Sequence, residues 1–541
     1  MDTSVRTHAF MLAVTILPPL GPLYLWENAR ADSNPPYLCH VLIFLIWAGA
    51  AKSIVYNHYL GPLSGIPMAP GDWFILGHTP YIFSAIPGGW VLKFINNAKF
   101  NTCGMMRMKS MFHLSDTILL TDPGAFNEVL SRHCYDYIKP PKRSMFVERI
   151  TGRGLAIAER AEHKFQRKSL RPAFQGHVIK ELVPKMWLKS LEFAEFMASK
   201  SKAAGGAIEF NSFVSSVTLD IIGVAAFDED FKSLNSSANE LAATFRKVLE
   251  PTWELISYFA ACMLLPSWIS IRLPMAGNKT LAASKAKLLS LCRQLLVDKK
   301  AVFQADGKSS ITVLSTLLKN GDLSDDRIRE QMLTFLVAGH ETTSTATTFA
   351  VYLLATHPEV QDKLRDELIG VLSQYRPDEI TVQVLDSIPL LAAIASETLR
   401  LWPVVPLPLR VAIKDTTIQG VTIPKGTRVD MSTLAANRLE SIWGADAADF
   451  KPERWLDEGN STFGGTNNPL VNNIPFLFGP RGCIGQNFAR AEVRCLLAAF
   501  VERFKFEMLH PDKELVIAGA IGIKPLGGLH LRITDIGTSL K

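Results

Sequence analysis

The chain has 541 residues, with 57 Lys and Arg against 51 Asp and Glu, which leaves a formal net charge of +6. Hydrophobic residues make up 48% of it and the mean hydropathy is +0.14, so the composition excludes a largely disordered chain and predicts a large core with some membrane contact. No basic stripe interleaved with aromatic residues occurs, so we expect no nucleic-acid partner. The seven cysteines are scattered without a Cys-x-x-Cys pair, which disfavours a disulfide framework and favours a reducing compartment.

Two apolar stretches open the chain, residues 10–26 and 37–56. The second is the better membrane span, because twenty helical residues cover a hydrocarbon core of about 30 Å. Three prolines interrupt the first stretch, and it remains open whether this stretch spans the membrane, lies on it or is cleaved as a signal peptide. Two buried core helices are the alternative. We expect residues 1–60 to form a membrane anchor, followed by a stiff Pro/Gly-rich hinge at 61–71.

The remainder, residues 72–541, shows no repeat and predicts one large domain that is mainly α with small β-sheets. Apolar residues at helical spacing predict helices over 183–202, with Pro184 near the start, and over 358–372. Short strand-like patterns are few and occur at 117–121, 416–422 and 530–534.

A long apolar helix is predicted over residues 332–355, and Ala338-Gly339-His340-Glu341-Thr342-Thr343 stands at its centre. An acid and a histidine buried in such a helix cost several kcal/mol, in the range of about 2–7, unless they are paired or hydrated. Ala338 and Thr342 share a face, so with Gly339 they are expected to leave space for a ligand beside a hydroxyl and a carboxylate. A transmembrane helix, or a core helix with satisfied polar groups, is the alternative interpretation.

A second pattern pairs Glu397 with Arg400, three residues apart on a predicted helix, ahead of Pro452-Glu453-Arg454-Trp455. The spacing allows a charge-assisted pair that a second guanidinium could clamp. By itself this pattern is weak, because any surface helix can carry it.

The third pattern is the segment Phe476-Leu477-Phe478-Gly479-Pro480-Arg481-Gly482-Cys483-Ile484-Gly485, which precedes a predicted helix over 486–504. The helix dipole and the N–H groups of a glycine-rich loop favour the thiolate of Cys483, which makes it a candidate metal ligand. With no second cysteine or histidine nearby in sequence, a macrocycle is the simplest source of the other ligands, and Arg481 could neutralise a propionate. A buried structural cysteine is the alternative.

Together these patterns resemble the cytochrome P450 family over nearly everything after residue 60, with the style of fungal microsomal members. The resemblance implies the P450 fold and a heme b (iron protoporphyrin IX) cofactor. It assigns Cys483 as the iron ligand, places Phe476 near it, and gives Gly485 the part of allowing close approach to the porphyrin.

The resemblance also implies further roles. Glu341 and Thr342 match the family's acid–alcohol pair, expected to deliver protons and to hydrogen-bond the oxygen being activated, and Glu397, Arg400 and Arg454 match its buried triad. His163 stands where many members have Trp, and Trp455 stands where Phe is common, so an aromatic ring is kept at both positions. The residues expected to hold the heme propionates are His163, Arg167, Arg410 and Arg481.

The implied activity is insertion of one oxygen atom from O2 into an apolar small molecule. Substrate contacts are expected around 146–150, 334–338, 404–408 and 518–521, which are mostly apolar and carry few charges. A terpenoid, polyketide, sterol or fatty-acid-like substrate fits, and the fungal style favours secondary metabolism with a terpenoid or polyketide substrate.

Electrons are expected from NADPH through NADPH-cytochrome P450 reductase, with cytochrome b5 as a second candidate donor. The basic run Lys164, Arg167, Lys168 and Arg171 is a candidate docking surface. The expected location is the endoplasmic reticulum membrane, with the catalytic domain facing the cytosol. Two other functions stay open: a heme-thiolate isomerase or dehydratase that needs no O2, and a non-catalytic heme carrier or gas sensor.

Overall fold

The structure is a computed structural model, and the predicted membrane span lies outside its described residues except for Ala48. Among the described residues, one helical stretch, Phe210–Phe227, is long and apolar enough to cross a membrane, yet 67% of it is buried inside the protein, as in a core helix. The described residues are Ala48 and the ranges 60–73, 76–83, 86, 89–96, 104–111, 115–235, 239–250, 252–306, 311–456, 468–513, 515–519 and 522–540.

Helices dominate the described part of the chain, as predicted. In chain order they are α1 Pro123–Asn127, α2 Pro141–Thr151, α3 Arg160–Leu170, α4 Gly176–Ala203, α5 Phe210–Ile222, α6 Glu240–Leu249, α7 Trp253–Leu264, α8 Ser267–Ser270, α9 Ala276–Asp306, α10 Val313–Asn320, α11 Asp325–Thr356, α12 Pro358–Leu372, α13 Val382–Asp386, α14 Pro389–Leu401, α15 Thr433–Ala436, α16 Glu440–Trp443, α17 Pro469–Asn472 and α18 Gln486–Arg503.

Short strands form small sheets beside the helices. The strands are β1 Met105–Lys109, β2 Asp116–Leu120, β3 Tyr137–Ile138, β4 Ala207–Glu209, β5 Leu409–Ala412, β6 Thr416–Ile418, β7 Val421–Ile423, β8 Arg428–Met431, β9 Phe504–Met508, β10 Ile517–Ala518, β11 Lys524–Pro525 and β12 His530–Asp535. The largest sheet has the order β1-β2-β8-β5-β3, and the others pair β4-β12-β9, β6-β7 and β10-β11. In the largest sheet β2 and β8 are parallel, and its other neighbours are antiparallel.

Two local predictions differ from the structure in detail. Helix α12 has the predicted bounds, but α4 begins at Gly176, so Pro184 lies inside this helix and not near its start. Buried residues on both sides of Pro184 pack the helix into the core, and this tertiary packing overrides the proline's preference for a first turn. The pattern 416–422 is a hairpin and not one strand, because Gln419 and Gly420 have φ of 48° and 79°.

The core places the middle of α11 and the beginning of α18 at one cavity. Helix α11 is buried on most of its circumference and packs against α5, α9, α14 and α18, while α18 also packs against α4. The segment 61–71 forms turns, and its Ala69 N–H donates to Arg107 O of β1 at 3.0 Å. This predicted hinge therefore packs along the edge of the sheet.

Candidate active site

The site residues predicted from the sequence all line one cavity of about 1720 Å³. Members of all four predicted substrate-contact stretches line it, including Phe146, Thr334, Val404 and Ala518. Charged side chains from outside these four stretches also line one part of the wall. Arg143 of α2 lies there, together with a bidentate pair in which Arg428 donates to Asp430 at 2.6 and 2.8 Å.

The loop that carries Cys483 is shaped by its own backbone. The N–H of Cys483 donates to Phe476 O at 2.8 Å, which closes the loop just before α18. Gly479 has φ of 69°, and a Cβ there would lie 2.7 Å from Leu130 O, so only glycine allows the loop to pass this close to its neighbour. The Cys483 side chain is exposed to the space of the cavity, while protein atoms surround it on all sides.

The Cys483 thiol is under opposing influences. Burial raises its pKa, while the Gly485 N–H and the positive charge of Arg167 lower it. In the protein alone burial is the largest of these influences on the pKa. A metal ion that coordinates a thiol deprotonates it outright. The positive charge of such an ion would therefore offset the effect of burial on the Cys483 pKa.

Four basic side chains predicted to hold propionates converge beside this loop. His163 is on α3 and accepts or donates a hydrogen bond with the Tyr135 hydroxyl at 3.2 Å. Arg167, also on α3, donates to Gly482 O at 2.7 Å. The other two are Arg410 of β5, which donates to Leu409 O at 2.8 Å, and Arg481, which donates to Glu159 Oε2 at 2.5 Å.

The structure adds two residues that the sequence argument missed, Lys139 and Glu159. Lys139 Nζ donates to Glu159 Oε1 at 3.3 Å, so this one carboxylate serves both Lys139 and Arg481. Neither residue belongs to a recognisable local motif, because their contacts join chain segments about 20 and 320 residues apart.

The crowded positive charges lower the pKa values of residues in this basic cluster. Burial lowers the pKa of His163 to about 3, helped by Arg481, Lys139, Arg167 and Arg410. Burial and neighbouring cations also lower the pKa of Lys139 to about 8 and that of Arg410 to about 10. An anionic ligand would relieve this repulsion, so the cluster fits a group that carries carboxylates.

Two further observations test whether a heme fits these residues. Arg481 Nε is buried and has no hydrogen-bond partner within the described part of the chain. A Cβ at Gly485 would meet Phe174 at 4.0 Å and nothing nearer among the described atoms, although Gly485 lines the cavity. Space beside Gly485, an unsatisfied guanidinium N–H and a cavity-facing thiol together fit a porphyrin with propionates.

The acid–alcohol pair lies on the cavity wall formed by α11. Thr342 Oγ1 donates to Ala338 O, one turn earlier, at 2.7 Å. Glu341 Oε1 accepts from Lys524 Nζ at 3.2 Å. The Glu341–Lys524 ion pair could not be predicted from the sequence, since the two residues are 183 positions apart.

Gly339 has a role in helix packing as well as its place on the cavity wall. A Cβ at this position would lie 2.8 Å from Ile222 Cδ1 of α5. The missing side chain therefore allows α11 to approach α5 closely. Whether it also leaves space for a ligand stays a prediction.

Phe476 lines the cavity, and the guanidinium of Arg490 lies 5.3 Å from its ring centroid. This contact fixes the ring beside the Cys483 loop through a cation–π interaction.

The Glu397 network is assembled as the spacing suggested. Arg400 donates to both carboxylate oxygens of Glu397 at 2.7 and 2.8 Å, and Arg454 Nε donates at 3.0 Å. Trp455 Nε1 adds a donor at 2.8 Å that a phenylalanine could not supply. Glu397 is fully buried, so these donors replace the water it loses.

Comparison with known proteins agrees with this site. Residues 90–531 match the Cytochrome P450 family. The chain is 32% identical to the cytochrome P450 monooxygenase sphH of Aspergillus fumigatus, over 89% of this chain and 90% of that protein. It is 32% identical to FSL4 of Gibberella zeae, over 90% of each chain, and 30% identical to FUM15 of Gibberella moniliformis, over 92% and 91%. Both of these are also named cytochrome P450 monooxygenases.

This family implies a heme cofactor, a reductase as redox partner and a small-molecule substrate. The match covers most of the chain, and the residues around the cavity fit the heme. The chain therefore belongs to the cytochrome P450 family, and it is an enzyme of the monooxygenase kind.

Proposed function

We propose that this protein is a heme-thiolate monooxygenase that inserts one atom of O2 into an apolar small molecule, with Cys483 as the iron ligand. The observation that carries the proposal is the meeting of the Cys483 loop, the basic cluster and the Glu341–Thr342 pair on the walls of one cavity. When bound, a thiolate-ligated heme supplies O2 activation, because thiolate donation favours O–O cleavage.

The chain's own residues provide binding and proton handling. The residues that would bind the heme propionates are His163, Arg167, Arg410 and Arg481. Because the His163 ring is neutral, the electrostatic attraction to the propionates would come from the three arginines. Phe476 packs beside the thiol and Gly485 leaves room for the macrocycle.

Thr342 holds a proton on Oγ1, and in this structure directs it to Ala338 O. We assign Thr342 the donation of a hydrogen bond into the cavity, by rotation of its side chain away from that carbonyl. Glu341 supplies protons to the same region through water.

A mostly apolar cavity wall supports an apolar substrate. The similarity to fungal monooxygenases supports a place in fungal secondary metabolism with a terpenoid or polyketide substrate. Arg143 on α2 sets one charged boundary for that substrate.

Electrons are proposed to come from NADPH through the membrane-bound reductase, with cytochrome b5 as a second donor. Lys164, Lys168 and Arg171 are exposed, whereas Arg167 turns inward to Gly482. The first three therefore provide a basic docking surface for an acidic redox partner near the Cys483 loop.

We place the protein at the endoplasmic reticulum membrane, with the heme domain of residues 72–541 facing the cytosol. The apolar stretch 37–56 supplies the anchor, with 61–71 connecting it to the domain. A second support is the exposed apolar surface of α7 and α8, where Trp253 and Trp268 are 79% and 64% exposed.

The test is oxidation of candidate terpenoids and polyketides by membranes that contain this protein and its reductase, under 18O2 and with NADPH. The proposal predicts products that carry one 18O atom and require NADPH. A rearranged or dehydrated product without 18O and without NADPH would identify an isomerase or dehydratase. Heme binding with no turnover of any candidate would favour a carrier or sensor.

A further inference from the structure

One ammonium group joins three separate walls of the cavity. Lys524 Nζ donates to Glu341 Oε1 of α11 at 3.2 Å and to Leu249 O at the end of α6 at 3.0 Å. Lys524 itself belongs to the β10–β11 hairpin, opposite Ala518. Leu249, Glu341 and Lys524 all line the cavity.

Both contacts have a physical basis. Leu249 is the last residue of α6, and the last carbonyls of a helix lack partners within it and attract a cation. The Lys524 and Glu341 side chains are only 17% and 26% exposed, so their attraction is screened less than that of a surface pair.

The backbone of the hairpin gives Lys524 a fixed origin. A Cβ on Gly519 would lie 1.7 Å from Gly522 O, so the two sides of the turn pass as closely as backbone allows. The Ile523 N–H donates to Val404 O at 2.9 Å. These contacts tie the hairpin to the cavity wall immediately before Lys524.

The neighbouring histidine does not compete for the acid. His340 Nδ1 lies 2.6 Å from Leu336 O, and since a carbonyl can only accept, this nitrogen carries the hydrogen. Burial lowers the pKa of His340, so the ring is neutral. The ion pair with Lys524 is therefore the contact that holds Glu341.

We propose that Lys524 is a positioning residue that restrains Glu341, so that the acid relays protons only when this ion pair opens. Because the same ammonium holds the end of α6 and the hairpin, movement of either wall changes the restraint on the acid. This inference rests on the proposed monooxygenase function and adds to it a control on proton delivery. Lys524 acts through Glu341 and is not itself a catalytic residue.

The experiment uses the full-length, heme-loaded protein and the variants Lys524→Met, Lys524→Arg, Glu341→Gln and Lys524→Met/Glu341→Gln. Lys505→Met is the matched control, since this lysine is 63% exposed on β9.

The first readout is hydrogen–deuterium exchange of peptides that cover 240–250 and 515–526. Lys524→Met should increase exchange in both peptides, whereas Lys524→Arg and Lys505→Met should resemble wild type. Unchanged exchange in Lys524→Met would overturn the linkage of the walls.

The second readout is NADPH oxidation and peroxide formation with the reductase and no added substrate. Lys524→Met should raise both by about threefold to fivefold, as expected for loss of one partly exposed ion pair, and Lys524→Arg should restore the wild-type rate. Glu341→Gln should abolish the increase in the double variant, because Lys524 acts through this carboxylate. A Lys524→Met rate at or below wild type, or an increase that persists in the double variant, would overturn the restraint. If wild type oxidises no NADPH even with the candidate terpenoids and polyketides added, the proposed function fails, while the exchange result still decides whether Lys524 links the walls.

Discussion

Thr342 is the residue at which proton handling is most directly tested. Its hydroxyl donates to Ala338 O at 2.7 Å, so an alanine should keep the helix while removing the donor. We expect Thr342→Ala to lower the ratio of product formed to NADPH consumed by about tenfold, which corresponds to about 1.4 kcal/mol of lost transition-state stabilisation. Thr347→Ala is the matched control, since its hydroxyl donates to Thr343 O at 2.9 Å. Equal coupling in wild type and Thr342→Ala would contradict the role.

Glu492 of α18 offers a separate test at the residue scale. It is fully buried, neither carboxylate oxygen has a hydrogen-bond partner among the described residues, and burial raises its pKa well above the ordinary value. The nearby Thr343 hydroxyl donates to Gly339 O at 2.6 Å, so it is not available as a donor to a carboxylate. Glu492 therefore keeps its proton to a higher pH in the folded protein than in the unfolded chain.

The pH dependence of stability follows from that shift. The folded state keeps the Glu492 proton above the ordinary pKa of about 4.5 while the unfolded state loses it, so this residue destabilises the fold increasingly as pH rises. Glu492→Gln should match wild type near pH 5 and exceed its stability at pH 8, because glutamine carries no charge for burial to penalise. Thermal unfolding at both pH values measures this, with the exposed Glu507→Gln as control. A stability difference independent of pH would contradict a raised pKa of Glu492.

Residues inside contiguous motifs could be predicted, whereas residues that act through distant contacts could not. Short segments of sequence contain Cys483, Arg481 and the acid–alcohol pair, and each of these segments is recognisable as a motif. Lys139 and Lys524 stand in no such segment, because their partners are brought to them by the fold. At Trp455 the sequence indicated only a retained aromatic ring, and the hydrogen bond to Glu397 depends on where that ring points.

At the scale of helices, the approach of α11 to α5 depends on Gly339. Gly339→Ala gains about 1 kcal/mol of helix propensity but places a methyl group 2.8 Å from Ile222 Cδ1, and overpacking of this kind costs about 1–3 kcal/mol. We expect a net loss of about 1 kcal/mol, measured as a lower Tm. Ile222→Val removes Cδ1 and should recover part of that loss in the double variant. A Tm at or above wild type for Gly339→Ala would show that the helices have room to spare.

Strong hydrophobic periodicity predicted the bounds of a helix well. Single residues taken as the start of a helix, or a short run read as one strand, predicted the bounds less well. Helix α12 has a clear 3.6-residue pattern and the predicted bounds. The start of α4 was missed because Pro184 signals a first turn locally, while the buried residues before it, including Val178 and Leu182, are held by the core. The 416–422 strand pattern contains no Pro, and its break depends on two left-handed residues, Gln419 and Gly420.

At the scale of the whole molecule, the exposed apolar surface of α7 and α8 should add to membrane binding. We expect removal of residues 1–60 to weaken flotation with phospholipid vesicles without abolishing it, because Trp253, Leu264 and Trp268 remain exposed. Trp253→Ser/Trp268→Ser in the shortened chain should then abolish flotation. The control is Val297→Ser on α9, which is 61% exposed. Flotation that survives the double change would assign membrane contact to another surface.

Composition and apolar stretches predicted membrane contact, and ordered motifs indicated one heme domain. The charged part of the cavity wall could not be predicted, because Arg143 and the Arg428–Asp430 pair come from segments almost 300 residues apart. Only the five-stranded sheet and α2, folded together, bring these charges to the cavity.

The proposed function depends above all on Cys483, which must ligate a heme iron as a thiolate. The most direct measurement is the carbon monoxide difference spectrum of dithionite-reduced membranes that contain wild type, Cys483→Ala or Cys495→Ala. Cys495 is a buried cysteine of α18, so it controls for loss of a thiol close by in the sequence. Wild type and Cys495→Ala should show a red-shifted Soret band, and Cys483→Ala should lack it. Folded, heme-loaded wild type that shows only the band of a nitrogen-ligated or thiol-ligated heme would contradict it.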